Sequence, residues 1–253
     1  MNKSLLMVAT GVLIAIGITA TMDATGYSMF SALPLAALLG IYWAVQKFSR
    51  EEIGLVWGNR QFHTIALLYP LTVLGSITAI AYLSGVIDTS SANWEHALIN
   101  VVAGSTIGVF MVMITEEGFF RGWLWAALKR CGLRDTHVLI GTSASFVIWH
   151  ISAITLDTGF DIPAAEIPIY LVNASLLAIV FGFLRMISGS VLVASVCHAV
   201  WNAFAYALYG FGEKVGVLGI ESTHIYGPEV GTLGIVVNSV AVLGLWFWWK
   251  SAR

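Results

Sequence analysis

Charge is what this sequence lacks. Of its 253 residues only 10% are Asp, Glu, Lys or Arg, while 58% are hydrophobic. A soluble domain carries about 25% charged residues, so this chain has too few to cover a surface facing water. The net charge of −2 and the absence of a basic tract remove the electrostatic footprint of nucleic-acid binding. Cysteine is scarce too. Cys131 and Cys197 stand in unrelated segments without CxxC or zinc-ribbon spacing, which argues against a structural disulfide. Five prolines, no repeat and no low-complexity linker leave a single integral-membrane domain over residues 1–253 as the direct expectation.

What is present is apolar sequence in lengths that cross a hydrocarbon core of about 30 Å. Runs at about 4–21, 28–47, 62–86, 97–128, 137–156, 166–187, 190–209 and 229–249 predict an all-α, polytopic bundle of eight spans. The first run could pass for a signal peptide, since Thr19, Ala20 and Thr21 follow it. An uncleaved first span is the simpler account in so membranous a chain. Connectors are short, and only 210–228 is long enough to be a loop.

Lys3, Lys47, Arg50, Arg60, Lys129, Arg130, Arg134, Arg185, Lys250 and Arg253 fall on one side of this arrangement. The other side has Lys214 alone, together with Asp23, Asp88, Glu95, Asp157, Asp161, Glu166, Glu213, Glu221 and Glu229. Basic residues gather on the cytoplasmic side, so both termini are expected there. Trp246, Trp248 and Trp249 beside Lys250, and Trp94 at the opposite face, have the placement of interfacial anchors.

The fourth run is too long. About 32 residues at 1.5 Å each span roughly 48 Å, and its cytoplasmic half holds Glu116, Glu117 and Arg121. An ionised carboxylate at the bilayer centre costs roughly 2.5 kcal/mol or more, so these groups need a polar interior. Glu117 and Arg121, at i and i+4, predict an ion pair. Glu116 is turned about 100° away and is left for chemistry. Gly118 and Gly122 would admit a close neighbouring helix.

Phe146 and His150 share a helix face in the fifth span, as do His198 and Asn202 in the seventh. Helix counts put Glu116 and His198 in the cytoplasmic half and His150 nearer the middle. A substrate approached from the cytoplasm or from within the bilayer follows from that depth. A lone intramembrane polar residue is often only an interhelical hydrogen bond, and Asn173, Asn238 and Thr142 are read that way. His63, His96, His137 and His224 lie at span ends or in connectors and are read as uninvolved. Cys197 diverges from His198 by about 100° on a helix and is read as a buried inert thiol.

Glu116-Glu117 with Arg121, Phe146 with His150, and His198 with Asn202 follow in order on three predicted spans. In this the chain resembles the CAAX-protease and bacteriocin-processing family of intramembrane endopeptidases, which includes the type II prenyl-protein peptidases. Phe120-Arg121-Gly122 also fits, and the resemblance covers about residues 98–209. It implies hydrolysis of a peptide bond in a membrane-associated or lipidated substrate. Glu116 would activate water, His150 would position it, His198 and Asn202 would stabilise the oxyanion, and Glu117 with Arg121 would support them. A catalytic site of Glu116, Glu117, Arg121, His150, His198 and Asn202 without a cofactor is the expectation. The alternative is zinc on Glu116, His150 and His198 with water in the fourth position, although HExxH is absent.

A transporter would also use intramembrane carboxylates and histidines. It should show repeated halves or broken helices near the midplane. A catalytically idle immunity or scaffold protein would keep the fold and need not keep every motif position. The expected surroundings are a bacterial or archaeal cell membrane, with a membrane-associated peptide or protein as substrate.

Overall fold

The computed structural model describes residues 3–212 and 214–251. Glu213 and Arg253, counted above among the connector charges, lie outside them. Eight helical segments are long and apolar enough to cross a membrane: Ser4–Ala24, Ser28–Gln46, Arg60–Leu83, Trp94–Arg130, Asp135–Thr155, Ile167–Ser188, Val191–Tyr209 and Thr232–Ser251. The all-α bundle expected from hydropathy is therefore present, with span limits displaced by a few residues.

Element by element, the chain runs through α1 (Lys3–Ala24), α2 (Leu33–Gln46), the short α3 (Arg50–Ile53), α4 (Arg60–Leu83) and α5 (Trp94–Ile114). A wide helical turn, Gly118–Leu124, leads into α6 (Trp125–Arg130). Then come α7 (Asp135–Trp149), α8 (Ile151–Thr155), α9 (Ile167–Ser188) and α10 (Val191–Tyr209). A small hairpin, β1 (Gly210–Phe211) with β2 (Lys214–Val215), and α11 (Thr223–Tyr226) precede α12 (Thr232–Ser251).

Helix α10 is the hub, packed on α5, α4 and α9, with α7 and α12 against α9. One apolar cluster joins α1, α2, the wide turn, α6 and α7 through Leu35, Phe119, Trp123 and Val138. A second joins α4, α9 and α10 through Ile77, Leu184 and Trp201. Many large apolar side chains point outwards instead, among them Leu83, Ile107, Phe110 and Val240. In a lipid-facing surface this is the expected inversion, because the tails are as apolar as leucine.

Two expected helices are broken. The long fourth run is not a single straight helix. At Thr115 the backbone leaves helical geometry (φ −105°, ψ −99°) and the Thr115 hydroxyl donates to the Met111 carbonyl at 2.7 Å. The chain then winds through the wide turn, all of whose residues are buried. Such wide turns are rare and occur often at functional sites. In the fifth run α7 ends at Trp149, and His150 (φ −78°, ψ −10°) separates it from α8. The 156–166 connector is also a substantial loop, alongside the 210–228 loop expected from the sequence.

Glycine makes the wide turn possible. A Cβ on Gly118 would lie 2.4 Å from the Met113 carbonyl oxygen and 2.7 Å from Leu39 Cδ2. The expected close helix approach at Gly118 is thus an approach of α2, and Gly122 similarly faces Ile53 of α3. Overpacking of this kind costs about 1–3 kcal/mol. Gly118→Ala is predicted to lower the thermal midpoint of the detergent-solubilised protein, while Gly75→Ala, with open space at its Cβ, should leave it unchanged. Equal midpoints would contradict this account of the turn.

Candidate active site

The break at Thr115 sets the directions of the two carboxylates. Glu117 points into the bundle and is completely buried, as is Arg121. Arg121 Nη1 donates to Glu117 Oε1 at 3.2 Å, and Nη2 donates to the Ala178 carbonyl of α9 at 3.0 Å. The guanidinium lies 4.3 Å from the centroid of the Phe146 ring. The i, i+4 pair expected from the sequence is therefore present, and it bridges three helices.

The same Oε1 takes a third group, accepting from His198 Nδ1 at 2.9 Å. The Phe146 carbonyl accepts from His150 Nδ1 at 2.9 Å. A carboxylate and a carbonyl only accept, so each ring carries its proton on Nδ1 and turns Nε2 elsewhere. Both Nε2 atoms face Glu116 Oε2, from His150 at 3.7 Å and from His198 at 3.9 Å. The His198 ring is stacked on Phe181, 4.6 Å between centroids, which fixes its plane.

Glu116, His150, His198 and Asn202 line one cavity of about 400 Å³, with Phe146 in its wall. Glu117 and Arg121 lie behind that wall. The six residues expected to form the site thus divide into a cavity-facing set and a buried supporting pair. None of His63, His96, His137 or His224 reaches the cavity. Cys197 is buried, and both cysteines are free thiols.

Among the described residues, no group of three or more His, Cys, Asp or Glu is arranged to hold a metal ion. Ligands about 2.0–2.1 Å from a tetrahedral zinc stand about 3.3–3.4 Å apart. The separations of 3.7 and 3.9 Å from Glu116 are wider.

The cavity wall holds groups the motifs do not name. Asp23 at the end of α1 accepts from the Ser152 hydroxyl at 2.6 Å, and Trp149 Nε1 donates to Thr19 at 2.8 Å. Glu229, counted above as a connector charge, is buried and accepts from Trp201 Nε1 at 2.7 Å. Burial pushes its carboxyl up to about 7, against the opposing pull of the Trp201 hydrogen bond. Asn173 donates to the Glu229 and Gly231 carbonyls, Asn238 donates to Asn173, and Tyr69 donates to Asn238. Asn173 and Asn238 are thus interhelical hydrogen-bonding residues as expected. Thr142 instead donates within its own helix, to the Leu139 carbonyl. An acidic residue directly before an apolar run, on the face poor in basic residues, was the available signal for Glu229.

Met29, Phe160 and Lys214, all exposed, belong to the cavity lining.

Residues 98–204 match the family model described as type II CAAX prenyl endopeptidase, Rce1-like. No curated protein and no solved structure matches the chain.

Removing one partner of a buried ion pair costs about 3–5 kcal/mol, because the other charge stays uncompensated. Arg121→Ala is therefore predicted to destabilise the protein far more than the double change Glu117→Gln with Arg121→Met. Thermal unfolding of purified variants in one detergent would check this. Equal stability of wild type and Arg121→Ala would contradict the placement of the pair.

Proposed function

We propose that this chain, whose residues 98–204 match the family model described as type II CAAX prenyl endopeptidase, Rce1-like, is an intramembrane endopeptidase in which Glu116 activates the hydrolytic water. The observation that carries this reading is the convergence of both imidazole Nε2 atoms on Glu116, while Glu117 is committed to Arg121 and His198. Glu116 is left with reach into the cavity and with the two imidazoles beside it.

In this mechanism Glu116 takes a proton from water, and the resulting hydroxide attacks the scissile carbonyl carbon. His150, its ring orientation set by the Phe146 carbonyl, accepts a hydrogen bond from that water at Nε2. The tetrahedral oxyanion receives hydrogen bonds from Asn202 Nδ2 and His198 Nε2. His198 can donate from Nε2 only when doubly protonated, since its Nδ1 proton is held by Glu117. The Glu117 carboxylate accepts the Nδ1 proton of that ring. Glu116 then gives its proton to the departing amine, which restores the starting state.

General-base action contributes about 10²–10⁴-fold, and one oxyanion donor about 10²–10³-fold. Both Glu116→Gln and Asn202→Ala are expected to abolish or cripple cleavage of a mixed library of membrane-tethered and lipidated peptides. Both should elute as wild type on gel filtration and keep its thermal midpoint. Cleavage is expected to survive a strong chelator. Loss on chelation with recovery on added zinc would transfer Glu116, His150 and His198 to ligand roles. Undiminished cleavage by Glu116→Gln would overturn the site.

A further inference from the structure

The angle between α7 and α8 decides where the His150 imidazole points, because His150 is the residue that joins them. Helix α8 has only five residues, Ile151–Thr155. A helix that short is not stable by itself, so the angle must be fixed by a neighbour.

Two hydrogen bonds to α1 fix it, one on each side of His150. On the α7 side, Trp149 Nε1 donates to the Thr19 hydroxyl at 2.8 Å, and that hydroxyl donates onward to the Ser31 carbonyl at 3.1 Å. A hydroxyl can accept and donate at once, so Thr19 ties the end of α7 to the connector before α2. On the α8 side, the Ser152 hydroxyl donates to Asp23 Oδ2 at 2.6 Å. Thr19 and Asp23 stand at i and i+4 and share one face of α1. They are 1% and 2% exposed, so water does not compete for either bond.

The first of these bonds acts on the imidazole through one ring. The centroid of the His150 ring lies 4.7 Å from that of Trp149, edge to face, and 4.4 Å from that of Phe146. Turning the indole would shift the surface against which the imidazole rests. The second bond acts through the backbone of α8. A single intramembrane hydrogen bond between helices is common and says little. Here one face of one helix supplies two, and they bracket a residue of the site.

We propose that Thr19 and Asp23 are positioning residues that clamp the α7–α8 break and so hold His150 Nε2 towards Glu116. In this way α1 forms part of the site's frame, although it lies outside the matched residues 98–204. The effect on turnover rests on the endopeptidase reading above; the effect on the ring does not.

The test compares the full-length wild type with Thr19→Val, which keeps the shape and removes the hydroxyl, and with Thr19→Ser, which keeps the hydroxyl. Ser152→Ala removes the other bond. Each is purified in one detergent and assayed on the membrane-tethered peptide that wild type cleaves fastest. Thr19→Val is expected to lower kcat roughly tenfold to a hundredfold, the scale of a misplaced catalytic group, with KM and the thermal midpoint close to wild type. Ser152→Ala should act in the same direction, and Thr19→Ser should restore kcat. Ring ¹⁵N-histidine NMR of the same samples reads the clamp without turnover, with the His150 signals identified by their loss in His150→Gln. Those signals are expected to be displaced in Thr19→Val and returned in Thr19→Ser. Unmoved ring signals in Thr19→Val, or an undiminished kcat, would overturn the proposal. A kcat that falls only together with the thermal midpoint, without rescue by Thr19→Ser, would reduce Thr19 to a packing residue. Were wild type to cleave nothing, displaced ring signals would still uphold the clamp while the endopeptidase reading fell.

Discussion

A buried ion pair between Glu117 and Arg121 organises the rest of this molecule. Each charge alone would be prohibitive in a lipid-embedded interior. Together they cancel, and each also reaches a neighbouring helix, while Glu117 Oε2 and Arg121 Nε stay without a hydrogen-bond partner among the described residues. Arg121 takes a carbonyl from α9, and Glu117 takes an imidazole from α10. Phe146 of α7 covers the guanidinium. The pair therefore sets the positions of three helices relative to the wide turn. It also fixes the tautomer of His198, which decides which ring nitrogen is presented to the cavity.

The site is built at interruptions rather than on regular helix. Glu116 follows the break at Thr115, and His150 is itself the residue between α7 and α8. Successive side chains about 100° apart let Glu116 reach His150 while Glu117 faces Arg121. Backbone freed at a break also supplies orientation, as the Phe146 carbonyl does for His150. Carboxyl groups and aromatic rings line the cavity itself, among them Asp23, Glu229, Phe160 and Phe211. Glu229, held at about 7 by burial, is protonated below neutral pH and increasingly charged above it.

The span count was legible because hydropathy in runs of about 20 residues is a direct consequence of hydrocarbon thickness. The site residues were legible because i, i+4 spacing puts Glu117 with Arg121, and His198 with Asn202, on single faces. The wide turn was hidden, since the sequence continues apolar and helix-forming through Thr115. The interruption is stabilised by a hydroxyl-to-carbonyl bond and by a glycine whose need for space depends on Leu39 of another helix. The fastening of the 46–56 segment was hidden for a similar reason. Arg185 and Ser190 bind backbone carbonyls more than 130 residues away in sequence, and any residue can offer a carbonyl.

The most direct test of the central claim is a single-turnover cleavage in ¹⁸O-enriched water, using the best-cleaved peptide of the library. Glu116 acting as a base on water puts one ¹⁸O into the new product carboxylate and leaves the enzyme unlabelled. Mass spectrometry of the tryptic peptide carrying Glu116 would reveal the contradictory result. Label in that side chain would mean that Glu116 attacks the peptide carbonyl itself and forms an anhydride, with water arriving only afterwards.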